Sequence, residues 1–101
     1  MAIHTRRSDD GRTLVISIDG RFDFSSHQSF RDAYERSDQD VSDYVIDMSD
    51  TTYLDSSALG MLLLLRDYAG GDAGRVRIEN CNSDVRRILS ISNFEQLFSI
   101  N

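Results

Sequence analysis

The stretch TTYLDSSALGMLLLL, residues 51–65, contains the strongest helix signal in the chain and decides how the rest is interpreted. Asp55 and the serines after it precede a run of apolar residues. This is the pattern of a capped helix start, because a capping side chain accepts a hydrogen bond from a free backbone amide. The glycine-rich segment GGDAG, residues 70–74, is typical of a helix end. We therefore predict a helix from Ser56 to Ala69.

The leucines of this helix cannot all face one core. At about 100° per residue, one line of the helix carries four apolar residues. These core-facing residues are Ala58, Leu62, Leu65 and Ala69. The opposite side carries Gly60 and Asp67, flanked by Leu63 and Leu64. Either a neighbouring helix covers the two flanking leucines, or they belong to a partner-binding surface. For the four residues together we favour the partner-binding surface.

Hydrophobic periodicity divides the remaining chain into alternating strands and helices. Strands are predicted at 2–8, 13–20, 43–49 and 75–80, with a short turn and a last strand within 93–101. Helices are predicted from Ser25 or Ser26 to near Ser37 and from 83 to 92, with Ser83 as a candidate cap. The segment DTTYLD, residues 50–55, is predicted to be a loop.

The order of these elements predicts the fold class. Strands that alternate with helices favour crossover connections and parallel pairing. The turn signal DDG, residues 9–11, joins the first two strands, which should therefore be antiparallel. We expect an α/β fold with a mixed sheet of four to five strands and about three to four helices. The 101 residues fit one domain.

Charge and composition exclude several classes of function. Seventeen acids stand against eleven bases, so the net charge is -6, and Lys is absent. This charge opposes binding to nucleic acid or to an anionic membrane. It either suits a protein partner or merely keeps a small protein soluble, and the charge alone does not favour one of these over the other. Cys81 is the single cysteine, which excludes an internal disulfide and fits a reducing cytoplasm. No signal peptide is predicted, and the apolar run Met61–Leu65 is too short to cross a bilayer.

An enzyme is not expected. His4 and His27 are the two histidines, and neither stands in a motif with an acid and a nucleophile. His27 is expected on the inner face or edge of the first helix. A phosphate loop of the Gly-x-x-x-x-Gly-Lys type cannot exist in a chain without Lys. The acids lack calcium-loop spacing and Cys81 is isolated, so no metal or cofactor is predicted.

Ser56 has two interpretations from the local sequence alone. Asp55 or Ser56 can serve only as the helix cap, and capping serines are common. Alternatively, Ser56 is a phosphorylation site. The free amides and the positive end of the helix dipole favour an anion there, and a phosphate would add about two negative charges beside Asp55. Considered locally, the capping interpretation is the stronger one.

A wider pattern changes that balance. The segment VIDMSDTTYLDSSALG, residues 45–60, resembles the central signature of the STAS domain, and specifically that of bacterial anti-sigma factor antagonists. The signature is an apolar strand, a loop, and then apolar-Asp-Ser-Ser-small-Leu-Gly. The segment IDGRFDFSS, residues 18–26, is similar to the family's Gly-x-apolar-Asp segment and matches its acid to Asp23. Two positions differ: Ala58 and Asn93 stand where Gly is common. The resemblance covers essentially the whole chain, so residues 1–101 are expected to form one STAS domain.

The resemblance implies a regulatory mechanism. In such proteins the serine after the Asp is phosphorylated by an anti-sigma factor that is also a serine kinase. The unphosphorylated protein binds the anti-sigma factor and frees the sigma factor, and a metal-dependent serine phosphatase restores binding after phosphorylation. Carried over, the phosphorylated residue is Ser56. The partner-binding residues are Asp23, Asp55, Ser56, Ser57, Gly60, Leu63, Leu64 and Asp67.

Three classes of function remain open from the sequence. The first is this phosphorylation-switched antagonist, acting in the cytoplasm. The second is a structural STAS subunit of a larger lipid-transport or stress-sensing assembly, in which the serine is often lost. The third is a small-ligand or nucleotide-binding module. The intact Asp-Ser-Ser favours the first over the second, and the absence of a phosphate loop argues against the third.

Overall fold

The structure is a computed structural model that describes residues 2–35, 41–71 and 75–100. Six strands are present in this part of the chain: β1 Ala2–Arg7, β2 Thr13–Phe22, β3 Asp43–Asp47, β4 Thr51–Leu54, β5 Val76–Glu79 and β6 Ser99–Ile100. Three α-helices accompany them: α1 His27–Glu35, α2 Ser56–Tyr68 and α3 Ser83–Ile91. Two short 3-10 turns, Phe24–Ser26 and Phe94–Gln96, precede α1 and β6.

The strands form one mixed sheet in the order β1-β2-β3-β5-β6, and β4 pairs with the end of β2. The β1–β2 pair is antiparallel and the other pairs are parallel. The predicted α/β class, the mixed sheet and the antiparallel first hairpin are confirmed. The turn of that hairpin includes Gly11, whose φ of 72° is accessible to glycine at little cost.

The core lies on the sheet face defined by alternating residues of the strands. On β2, Leu14, Ile16 and Ile18 are buried while the intervening residues are partly exposed, as the alternation predicts. On β3, residues 44–46 are all buried, which the uninterrupted apolar run indicates. The predicted core line of α2 is confirmed: its four residues all pack into this core.

The structure corrects two local predictions. Residues 51–54 form strand β4 and not a loop, because the backbone of this segment pairs with Gly20–Phe22 of β2. Asp23 caps the Phe24–Ser26 turn that leads into α1, and Ser26 is the residue directly before that helix. Helix α3 is capped by Asn82, whose side chain accepts the Val85 amide at 2.8 Å, and not by Ser83. The predicted end of the first helix near Ser37 lies outside the described residues.

Asn93 and Gly70 are among the described residues that have a positive φ. Asn93 has a φ of 60°, in the region that Asn tolerates, so its replacement of a common Gly is compatible with the fold. Gly70 has a φ of 105° and follows the last turn of α2, where the glycine-rich segment predicted a helix end.

Candidate functional site

The carboxylate of Asp55 caps α2. Asp55 has an extended backbone, with φ -116° and ψ -174°, and its Oδ1 accepts the Ala58 amide at 3.0 Å. The extended geometry follows from β4, because the Asp55 amide reaches the carbonyl oxygen of Phe22 on β2 at 3.4 Å. Of the two capping residues that the sequence left open, the structure selects Asp55.

Ser56 is consequently the first residue of the helix and not its cap. Its side chain is exposed, and its hydroxyl makes no hydrogen bond to any residue that the structure describes. The first backbone amides of a helix have no partner within the helix, and they carry the positive end of its dipole. Ser56 therefore presents a hydroxyl to solvent at a point where an added anion would be electrostatically favoured.

The four residues predicted to lie opposite the core line are all exposed. We call Gly60, Leu63, Leu64 and Asp67 the α2 patch; the leucines are 38% and 51% exposed. At about 100° per residue, Ser56 lies within the same arc as this patch. A Cβ built on Gly60 meets no atom within 4 Å, so the helix surface there is open. No described helix covers the patch, which favours the partner-surface interpretation over the covering-helix one.

Neighbouring elements border the patch on both sides. The Tyr68 ring contacts the buried Tyr34 ring of α1, with their centroids 5.0 Å apart. On the other side, Arg66 Nε donates to the Leu97 carbonyl oxygen at 3.1 Å. The patch is therefore an open strip between α1 and the segment before β6. Ser57 is half-buried at the edge of this strip.

Asp23 lies next to Asp55 because of strand register. Phe22 pairs with Leu54 across β2 and β4, so the residues that follow them leave the sheet side by side. Asp23 caps the Phe24–Ser26 turn by accepting the Ser25 amide at 3.0 Å. The hydrogen bond from the Ser25 hydroxyl, together with the nearby Arg21 guanidinium, holds the pKa of Asp23 below its usual range. Asp23, Asp55 and Ser56 thus share one edge of the sheet.

Arg21 connects Asp23 with an aromatic side chain that the sequence analysis missed. Arg21 Nε lies 3.5 Å from Asp23 Oδ2, and its guanidinium carbon lies 4.4 Å from the centre of the Tyr53 ring. Tyr53 pairs with Arg21 in the β2–β4 register, and it is 40% exposed. Tyr53 lies in the segment 50–55 that the sequence predicts to be a loop, and the pairing with β2 that positions its ring is long-range, so no local signal identifies it.

Phe24 is the second exposed aromatic side chain that sequence reasoning missed. It is 73% exposed and stacks against the ring of His27, which lies half-buried at the edge of α1 as expected. The Phe24–Ser26 turn itself contacts α2.

Two further results concern other kinds of site. The described residues bring no three His, Cys, Asp or Glu side chains together as a potential metal-binding group. In the same part of the chain, no helix reaches the length and apolarity required to cross a lipid bilayer.

Comparison with known proteins identifies the family of this chain. Residues 5–99 match a family model described as "Mlab, STAS domain". A STAS-domain-containing protein of Pseudomonas aeruginosa (strain UCBPP-PA14) is 59% identical over 101 residues, which cover 100% of both chains.

Solved structures share the fold at low sequence identity. An anti-sigma factor antagonist from Mycobacterium paratuberculosis is 21% identical, with a TM-score of 0.75 over 98% of this chain and 85% of that one. The anti-sigma factor antagonist SpoIIAA in its unphosphorylated form is 18% identical, with a TM-score of 0.71 over 99% of this chain and 87% of that one. Bacillus SpoIIAA in the phosphorylated form is also 18% identical, with a TM-score of 0.66 over 99% of this chain and 91% of that one. The chain thus has the fold of the anti-sigma factor antagonists, and from the family match it belongs to the STAS domain family.

Proposed function

We propose that this protein is a cytoplasmic anti-sigma factor antagonist whose partner binding is switched off by phosphorylation of Ser56. In this mechanism the unphosphorylated chain binds an anti-sigma factor through the α2 patch and through the edge formed by Asp23, Asp55 and Ser57. The bound anti-sigma factor releases its sigma factor. The protein acts as a binding module and as the substrate of a kinase and a phosphatase, and it is not itself an enzyme.

One observation carries the proposal: Asp55 performs the capping that would otherwise account for Ser56. Since the cap is provided by the preceding carboxylate, the Ser56 hydroxyl has no hydrogen-bonding role in the described part of the fold. It is exposed on the same arc of α2 as two solvent-facing leucines. An unneeded hydroxyl beside an uncovered apolar strip is what a modification-controlled interface requires.

The physical basis of the switch is local. A phosphoserine carries about -1.5 to -2 charges at neutral pH. The helix amides and dipole would accept that charge, so the fold survives phosphorylation. A partner that covers the strip would have to desolvate the phosphate beside the Asp55 carboxylate, which opposes binding. The solved phosphorylated form of Bacillus SpoIIAA is a precedent, in a protein of the same fold, for this kind of modification.

Phosphopeptide mass spectrometry on the protein from its own cells tests the proposal. We expect phosphate on Ser56 and its loss in a Ser56→Ala variant. Ser83 is a matched control within the same chain, because it is also an exposed serine in the first position of a helix, following a separate N-cap, Asn82. If serines at helix starts were generally reactive, both Ser56 and Ser83 would carry phosphate. A dedicated kinase would phosphorylate only Ser56.

Affinity capture then tests the consequence for binding. The wild-type chain should retain an anti-sigma factor, identified by its ability to bind a sigma factor. The same chain with phosphoserine incorporated at position 56 should not retain it, and treatment with a metal-dependent serine phosphatase should restore binding. Consistent absence of phosphate on Ser56 across growth conditions would contradict the proposal and would favour a structural STAS subunit of a larger assembly.

A further inference from the structure

Gly60 is a glycine that the fold itself does not explain. It lies within α2, about one turn after the start of the helix, and it is exposed to solvent. It is not among the described glycines that have a positive φ, so an alanine could adopt its helical backbone. A Cβ at this position would meet no described atom within 4 Å. Neither backbone geometry nor packing against the described residues therefore requires a glycine here.

A glycine at this position weakens the helix. Glycine in a helix interior is less favourable than alanine, because it loses more backbone freedom on folding, and the difference corresponds to about four- to fivefold in the folding equilibrium. Glycine is also the residue that allows another molecule to approach the backbone closely. A contact from outside the chain would account for a glycine that destabilises α2 and that no described internal contact requires.

The side chains around Gly60 form a notch on the helix surface. Residues three and four positions apart in a helix are neighbours on its surface. Leu63 and Leu64 stand on one side of Gly60, 38% and 51% exposed, and Ser56 lies one turn before it on the other side. We call the space over Gly60, between Ser56 and the two leucines, the Gly60 notch. Its floor is helix backbone, and its larger walls are apolar.

The walls of the Gly60 notch indicate what it accepts. A hole bounded by residues one turn apart on a helix can receive one large side chain of a second polypeptide, as in knobs-into-holes packing. A charged group placed there would lose hydration against two leucines that offer it no hydrogen bond. An apolar group would instead remove leucine surface from water. An aliphatic or aromatic side chain is therefore the group that fits.

We propose that the Gly60 notch receives an apolar side chain of the anti-sigma factor, and that the absence of a Cβ at Gly60 determines which partner fits. The inference rests on the proposed function and adds to it the chemistry of the contact. The notch borders Ser56, so the seated side chain lies beside the hydroxyl that the proposed switch modifies. An alanine at position 60 would stabilise the helix and fill part of the notch. Stability and partner binding should therefore change in opposite directions.

Thermal unfolding of a Gly60→Ala variant tests the first step. The Tm should rise by about 3–8 °C, as the replacement of a helical glycine by alanine implies for a domain of about 100 residues. An unchanged or lower Tm would mean that the fold requires Gly60, and would overturn the inference. Ser83→Ala is the matched control for the binding experiments, because Ser83 is exposed at the first position of α3 and lies outside the α2 patch.

Photo-crosslinking in the native cells tests the occupant of the notch. p-Benzoylphenylalanine in place of Leu64 should crosslink the chain to one other protein, and that protein should bind a sigma factor. Addition of Gly60→Ala should lower the amount of crosslinked product by about fivefold or more, and addition of Ser83→Ala by less than about twofold. A product formed with a second copy of this chain, or no product at all, would overturn the inference.

Binding measurements with that protein, purified without the crosslink, test the fit. Overpacking of a filled site by one methyl group corresponds to about five- to 150-fold in Kd. Gly60→Ala should therefore raise the Kd by about fivefold or more, and Gly60→Leu should raise it further. Ser83→Ala should leave the Kd within about twofold. If Gly60→Leu binds as tightly as the wild type, the partner requires only apolar area, and the notch is refuted.

Phosphoserine at position 56 separates this inference from the proposed function. If phosphoserine prevents binding and Gly60→Ala does not weaken it, the notch is refuted and the switch stands. If Gly60→Ala weakens binding and phosphoserine does not, the notch stands and the phosphorylation switch fails.

Discussion

The assignment of the α2 cap leads to a prediction that requires no partner. Replacing Asp55 by Ala removes the side-chain acceptor of the Ala58 amide and the carboxylate at the positive end of the helix dipole. Loss of an N-cap costs about 0.5–2 kcal/mol, and the dipole interaction contributes about 0.3–1 kcal/mol at an exposed site. We expect Asp55→Ala to lower the free energy of unfolding by about 1–2 kcal/mol. Ser56→Ala removes no hydrogen bond seen in the described residues and should change it by less than about 0.5 kcal/mol.

Urea unfolding followed by circular dichroism measures both values, and thermal unfolding gives an independent estimate. For a domain of 60–100 residues, 1 kcal/mol corresponds to a shift of about 4–8 °C in Tm. Asp55→Asn is the informative intermediate, because Asn caps about as well as Asp but carries no charge. It should keep most of the stability that Asp55→Ala loses. If Ser56→Ala destabilises the protein as much as Asp55→Ala does, then Ser56 contributes to capping and the reasoning that leaves its hydroxyl unoccupied is refuted.

Three further predictions concern the fold and the α2 patch. Leu63→Asp should leave the circular dichroism spectrum unchanged and weaken partner capture. Leu62→Ala, at a fully buried position, should lower the free energy of unfolding by about 2–5 kcal/mol. Collapse of the Leu63→Asp spectrum would place Leu63 in the core. Burial raises the pKa of Asp47, but the hydrogen bonds from Asn80 and a backbone amide outweigh it and leave the pKa lowered. The stability that Asp47 contributes is therefore complete above its unfolded pKa of about 3.9, and it is lost as the pH falls through the folded pKa. Asn80→Ala removes one of these hydrogen bonds and should raise the Asp47 pKa measured by NMR. An unchanged pKa would contradict this account. Because φ of Asn93 is 60°, Asn93→Gly should match or exceed the wild-type stability, and Asn93→Ala should lower the free energy of unfolding by about 1 kcal/mol. Equal Tm values for the two variants would argue against a left-handed residue at this position.

Local sequence was sufficient for much of this protein because the signals were short-range. The buried face of α2 follows from the 3.6-residue period, and the burial of alternate residues on β2 follows from the 2-residue period. The turn at residues 9–11 and the glycines after α2 ended their elements where predicted. The α2 patch was predicted by the same periodicity, since four leucines exceed what one core-facing line accommodates.

Tertiary contacts decided what the sequence left open. Strand β4 exists because its backbone pairs with β2, about thirty residues earlier, and its polar TTYL segment carries little intrinsic indication of this. The same pairing extends Asp55, so that it and not Ser56 caps α2. Asn82 caps α3 in preference to Ser83, and its amide nitrogen also donates to the Thr51 carbonyl oxygen on β4 at 3.0 Å. Adjacent residues with similar capping propensity cannot be ranked locally, because long-range pairing determines which of them has the extended backbone that a cap requires.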